Sequence, residues 1–158
     1  MLTIAVNSSQ VQAALARLSS RVNDLRPAMA AMGQEMESRI SARFETETDP
    51  NGLPWAPWLP STRADYPFAG SQSAAAEGAG NGRILDRYGT LLGSLSHQAS
   101  SDSVRIGFGQ PYAVFHEWGT QHMSRRGLLF DDPDAGTLSK ADSAAVLEIL
   151  GDYLSSGR

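Results

Sequence analysis

The sequence predicts an α+β fold: a small antiparallel sheet packed with two N-terminal amphipathic helices and a C-terminal helix, plus a long extended arm. Three observations predict it. Apolar residues recur at helical spacing up to Phe44 and again after Thr137. Two short alternating runs meet at Ser101-Asp102, which reads as a hairpin. Between the helices and the hairpin, residues 47–82 are rich in Pro, Gly, Ala and Ser and carry no periodicity. The 158 residues fit one domain, 1–158, with the arm inside it.

Each element has a local cause. Leu2 to Val6 alternates weakly and reads as a short strand. Asn7, Ser8 and Ser9 then offer N-caps. Val11, Leu15, Leu18, Val22 and Leu25 follow at spacings of 4, 3, 4 and 3, one stripe of a helix. Pro27 suits the first turn of a second helix, or the kink of one long helix. Met29, Met32, Met36, Ile40 and Phe44 repeat the stripe at 3, 4, 4 and 4. The methionine stripe reads first as core packing and second as an adaptable partner surface.

Pro50, Pro54, Pro57 and Pro60 recur every three or four residues, with Trp55 and Trp58 between them. Helix and central strand are both unsuited to that spacing, so an extended, partly polyproline-like arm is expected. The small-residue stretch Ala69 to Gly82 can bury little. A short helix is expected from Ile84 to Leu95, then strands over 96–100 and 103–108. Pro111 opens a short helix carrying Tyr112, Phe115 and Trp118, closed by Gly119. Leu128-Leu129-Phe130 reads as a further strand, and a turn over 131–137 leads to a last helix ending near Leu154.

Composition excludes several functions. There is no cysteine, which removes disulfide frameworks, thiolate metal sites and thiol catalysis. No apolar run reaches the roughly 18–20 residues of a membrane helix, so no membrane partner is expected. The first seven residues lack a basic region and a long apolar run, unlike a secretory signal. A net charge of −4 argues against nucleic-acid binding through bulk charge.

Specific chemistry is equally thin. His116-Glu117 and His122 invite a metal, but the histidines stand six apart with Gly119 between them, not four apart on one helix face. Asp131, Asp132 and Asp134 match only fragments of a calcium loop and serve equally as capping carboxylates. Gly78 to Gly82 lacks the Lys-Ser/Thr of a phosphate loop. Glu45, Glu47 and Asp49 near Trp55 would be the carboxylates of a wall-degrading hydrolase. Arg125-Arg126 is a thin nucleic-acid signal and suits solvated residues or an inter-subunit salt bridge better. No catalytic residue, metal or cofactor is therefore assigned. The tryptophans leave two readings open: an arm folded back on its own core, or anchors in a neighbouring subunit's groove.

Four stretches in order carry a resemblance. Phe44 to Trp58 reads F-x5-P-N-G-x-P-W-x-x-W, followed by Thr62. Ile84-Leu85 precedes Gly89-x-Leu91 and Ser94-Leu95. Tyr112-Ala113 precedes His116-Glu117-Trp118-Gly119-Thr120, and Arg126 precedes Leu128-Leu129-Phe130. Together they resemble the phage virion morphogenesis family of Mu-like phages, related to tail-completion proteins. Gly127 and the lengthened 69–82 stretch depart from its pattern. The resemblance implies a non-enzymatic structural protein at the head–tail junction of the virion, made in the host cytoplasm. It implies a ring of copies, six-fold, contacting a head-side connector and a tail-side terminator or tube. Genome DNA would pass the bore without specific binding. A tail-tube or baseplate-side component is the structural alternative. The expected partner-interface residues are Pro54, Trp55, Trp58, Leu59, Tyr112, His116, Trp118, Arg125 and Arg126.

Overall fold

The structure, a computed structural model, describes residues 9–67 and 80–156. The expected strand at Leu2–Val6 and the small-residue stretch 69–79 lie outside the described residues.

Helices α1 (Ser9–Asn23) and α2 (Arg26–Thr46) are separate. Leu25 at φ −89°, ψ 3° breaks the helical path between them, and its N–H donates to Ser101 O at 3.0 Å in the hairpin turn. Pro27 stands in the first turn of α2, where its missing N–H has no helical partner to lose. Glu47 in the left-handed conformation (φ 54°) ends α2 and turns the chain sharply.

α2 is the centre of the fold. Met36, Ile40 and Phe44 share a core with Trp55, Ile84, Leu91 and Leu128. The Phe44 ring meets Trp55 edge-on at 5.5 Å and Phe108 at 6.1 Å. Strands β1 (Leu95–Ala99) and β2 (Val104–Phe108) pair antiparallel in the register Leu95↔Phe108, His97↔Ile106, Ala99↔Val104. The half-buried face of β1 carries Leu95, His97 and Ala99, and it packs on α2. The His97 ring lies so close to Gly33 that a Cβ there would stand 2.2 Å from it. His97 Nδ1 is 2.9 Å from the Glu37 carboxylate, out of line for a hydrogen bond.

The last helix, α5 (Lys140–Ser155), packs against α2 through a buried charge cluster. Ser139 caps the helix, its Oγ accepting from Asp142 N at 3.2 Å. The fully buried Asp142 carboxylate accepts from Arg39 Nε at 2.8 Å and pairs with Arg43. That hydrogen bond is the first cause of a raised Arg39 pKa.

Several expectations are corrected. The stretch from Ile84 is not a helix but a series of turns ending in one 3-10 turn at Leu92–Ser94. Leu85 (φ 63°) and Gly89 (φ 76°) both leave the helical region. The arm is not wholly extended: Pro60 opens a short helix α3 (Pro60–Asp65), again with proline in its first turn. Leu128–Phe130 is not a strand, because its N–H groups go to a side chain, as described below. α1 buries no residue. Gly80 N donates to Pro67 O at 2.7 Å, which brings residues 67 and 80 together. Among the described residues, no helix is long and apolar enough to cross a membrane.

Candidate functional site

A strap of irregular chain, Arg125 to Phe130, bends at Leu128-Leu129 and ties the remaining parts together. Glu117 lies on α4 (Ala113–Trp118), the helix opened by Tyr112 and ended by Gly119 at φ 77°. A side chain at Gly119 would collide with the returning backbone, Arg125 N at 2.9 Å and Met123 O at 3.0 Å. The turn brings the strap beneath α4, where the buried Glu117 carboxylate receives it. Glu117 Oε2 accepts from Leu128 N and Leu129 N at 2.8 and 2.9 Å; Oε1 accepts from Phe130 N and Arg125, each at 3.2 Å. One carboxylate thus replaces a strand partner for three consecutive N–H groups.

The strap then binds the arm and α2. Trp55 Nε1 donates to Gly127 O at 3.1 Å. Arg126 donates to Ala56 O at 2.9 Å and Pro57 O at 3.1 Å. Arg43 donates to Leu128 O at 2.6 Å. The arm is therefore fastened to the body by its carbonyls, which prolines leave free.

This fastening leaves an open cleft of about 640 Å³ between arm and body. Pro57, Trp58, Leu59 and Tyr66 form the arm side, with the Trp58 and Tyr66 rings 4.7 Å apart. Ile84 to Leu91 close the opposite side, including Tyr88. Tyr112, His116, Met123 and Arg126 complete it, with Tyr112 and His116 edge-on at 6.2 Å. Burial first, then the Arg126 guanidinium, hold the His116 imidazole below its usual pKa. Burial likewise lowers Arg126. Tyr66 is pushed up to about 12 by burial first and Asp86 second, and its hydroxyl donates to Arg83 O at 3.0 Å. The lining is mixed: aromatic and aliphatic side chains stand beside Arg87, Arg126, His116, His122, Ser124, Thr62 and Thr90.

The nine expected interface residues divide. Trp58, Leu59, Tyr112, His116 and Arg126 are brought together around the cleft. Trp55 is not available as an exposed anchor: at 4% exposure it belongs to this chain's own core, because the Glu47 turn returns it onto Phe44. Arg125 makes its ion pair within the chain, to Glu117. Pro54 is exposed and bridges Thr48. Trp118 points away from the cleft with Val114 and Phe115, all exposed, its Nε1 donating to Asp134 at 3.0 Å.

Two of the three carboxylates that a hydrolase would use have structural duties, and Glu45 is exposed. Glu47 accepts from Ile84 N at 2.7 Å, and Asp49 accepts from Asn51 N and Leu53 N. Among the described residues, no three His, Asp or Glu side chains are grouped to hold a metal ion. Sequence reasoning missed Glu117 as the hub. Its signal was a lone acid in a short helix otherwise built of Ala, Val, Phe, His and Trp.

The chain belongs to the phage virion morphogenesis family, whose family model matches residues 6–155. Its role is accordingly in building the phage particle. No curated protein and no solved structure matches it.

Proposed function

We propose that this protein is a structural component of the head–tail junction, without enzymatic activity, and joins tail to head as a closed ring of copies, six-fold. The aromatic cleft is the observation that carries the reading. It is open and rich in aromatic rings, its arm side is bonded to the strap through Arg126, and its polar side chains can meet a partner's polar groups beside the apolar ones. Head-to-tail contacts of this kind close when the rotation between copies closes. The outward face of α4, with Val114, Phe115 and Trp118, supplies a second apolar surface for the adjoining connector or terminator ring. The net charge of −4 per chain suits a bore that lets DNA pass without specific binding.

The test is complementation with variants at the cleft rim. Leu59, 58% exposed, and Tyr112 can be changed to Asp without entering the core. Folded Leu59→Asp and Tyr112→Asp proteins should leave full heads and finished tails unjoined in electron micrographs. Normal numbers of joined particles from both variants would overturn the reading.

A further inference from the structure

Two arginines are buried among the described residues, and they differ in their company. Arg43 faces the Asp142 carboxylate. Arg126, 9% exposed, has no carboxylate beside it among the described residues. Its Nε and Nη2 donate to the Ala56 and Pro57 carbonyls, while Nη1 has no acceptor and keeps contact with solvent. A guanidinium drawn this far from water costs free energy that two neutral carbonyls offset only in part, and an anion offsets more.

The cleft that Arg126 lines carries the same imbalance. The chain holds 17 acids against 13 lysines and arginines. Yet among the described residues no Asp or Glu lines the cleft, whereas Arg87, Arg126, His116 and His122 do. Arg87 lies over the Tyr66 and Tyr88 rings, 5.8 and 5.5 Å from their centres.

We infer, resting on the reading of the cleft as the partner site, that it takes a segment of a partner protein presenting an Asp or Glu carboxylate to Arg126, with a neighbouring apolar side chain on the rings of Trp58 and Tyr112. A charge-assisted bond to Nη1 supplies the missing counter-charge, and the rings take the apolar side chain. Single-stranded nucleic acid also uses rings and cations. Its affinity, however, comes from many phosphates along a basic track, and here a chain of net charge −4 offers one enclosed guanidinium with one free nitrogen.

Thr62 gives a test that leaves Arg126 and its bonds in place. It lines the cleft from the exposed helix α3. Thr62→Glu adds a carboxylate there; Thr62→Gln has nearly the same shape and no charge. The full-length parent and both variants are panned against one random heptapeptide library holding equal numbers of acidic and basic residues. Peptides enriched by the parent and by Thr62→Gln should carry Asp or Glu beside an aliphatic or aromatic residue, and Thr62→Glu should lose them. Changing that acid to its amide in a synthetic peptide should weaken binding roughly tenfold, as loss of one charge-assisted bond does. Enriched peptides without an acid, enrichment kept by Thr62→Glu, or no enrichment at all would overturn the carboxylate. Oligothymidylate held more tightly than the peptides, and released by Thr62→Glu, would overturn it in favour of nucleic acid. Particle joining separates this from the reading it rests on. If Leu59→Asp and Tyr112→Asp block joining while Thr62→Glu and Thr62→Gln join equally well, the cleft stays the partner site and the carboxylate falls.

Discussion

The first two helices carry stripes of similar apolar content and meet opposite fates. α2 is wrapped by the hairpin, the arm and α5, and its Ile40 and Phe44 are fully buried. α1 buries nothing. The difference lies in the tertiary bonds each makes. α2 sends Arg39 and Arg43 to a buried carboxylate, and Gly33 lets the His97 ring approach its backbone. α1 sends Arg21, near its C-terminal end, to Tyr153 O and Ser156. An apolar stripe identifies a helix that needs covering; it does not say by which surface.

Substitutions can break or sharpen this contrast. Trp55→Ala removes a large side chain from the α2 core and should cost about 4 kcal/mol in urea unfolding. A cost near zero would place Trp55 outside the core. Glu117→Gln removes the charge that three strap N–H groups and Arg125 share, and should cost about 3 kcal/mol. Gly33→Ala forces the His97 ring off α2 and should cost about 2 kcal/mol, against a small gain at an ordinary helical glycine.

The cleft gives a subtler effect through pH. The folded protein holds His116 below its ordinary pKa, so the unfolded chain takes up the proton more readily. Stability from this site is complete above about pH 6.5 and falls as the pH drops through the lowered folded value. Thermal melts of His116→Gln should lose that acid-side decline while matching the parent's pH dependence above it. The smallest effect belongs to α1: Leu15→Ala should change the stability of the isolated chain by less than about 0.5 kcal/mol. A loss comparable with Trp55→Ala would show that α1 is covered by its own body.

Local signals were read well where they act over a few residues. Pro27 in the first turn of α2, the hairpin at Ser101-Asp102 and α4 between Pro111 and Gly119 all follow from short-range sterics and alternation. The arm's position was not legible, because Trp55 is placed by one left-handed residue, Glu47, and by a bond to Gly127 far along the chain. The missing strand at Leu128 has the same origin. Its apolar residues match a strand, but a carboxylate eleven residues earlier takes its N–H groups. Of the cleft, Trp58, Leu59, Tyr112, His116 and Arg126 were foreseeable as sticky or basic residues. Tyr66, Tyr88 and Met123 were not, since only tertiary structure brings them alongside.

The single hydrogen bond between Gly80 and Pro67 has a practical outcome. The bond holds the two ends at residues 67 and 80 together, and doubling the number of residues between them adds only roughly 0.6 kcal/mol of closure entropy. An epitope or small fluorescent tag spliced between Pro67 and Gly80 should therefore add little closure cost to folding, marking each subunit's address in the assembled particle.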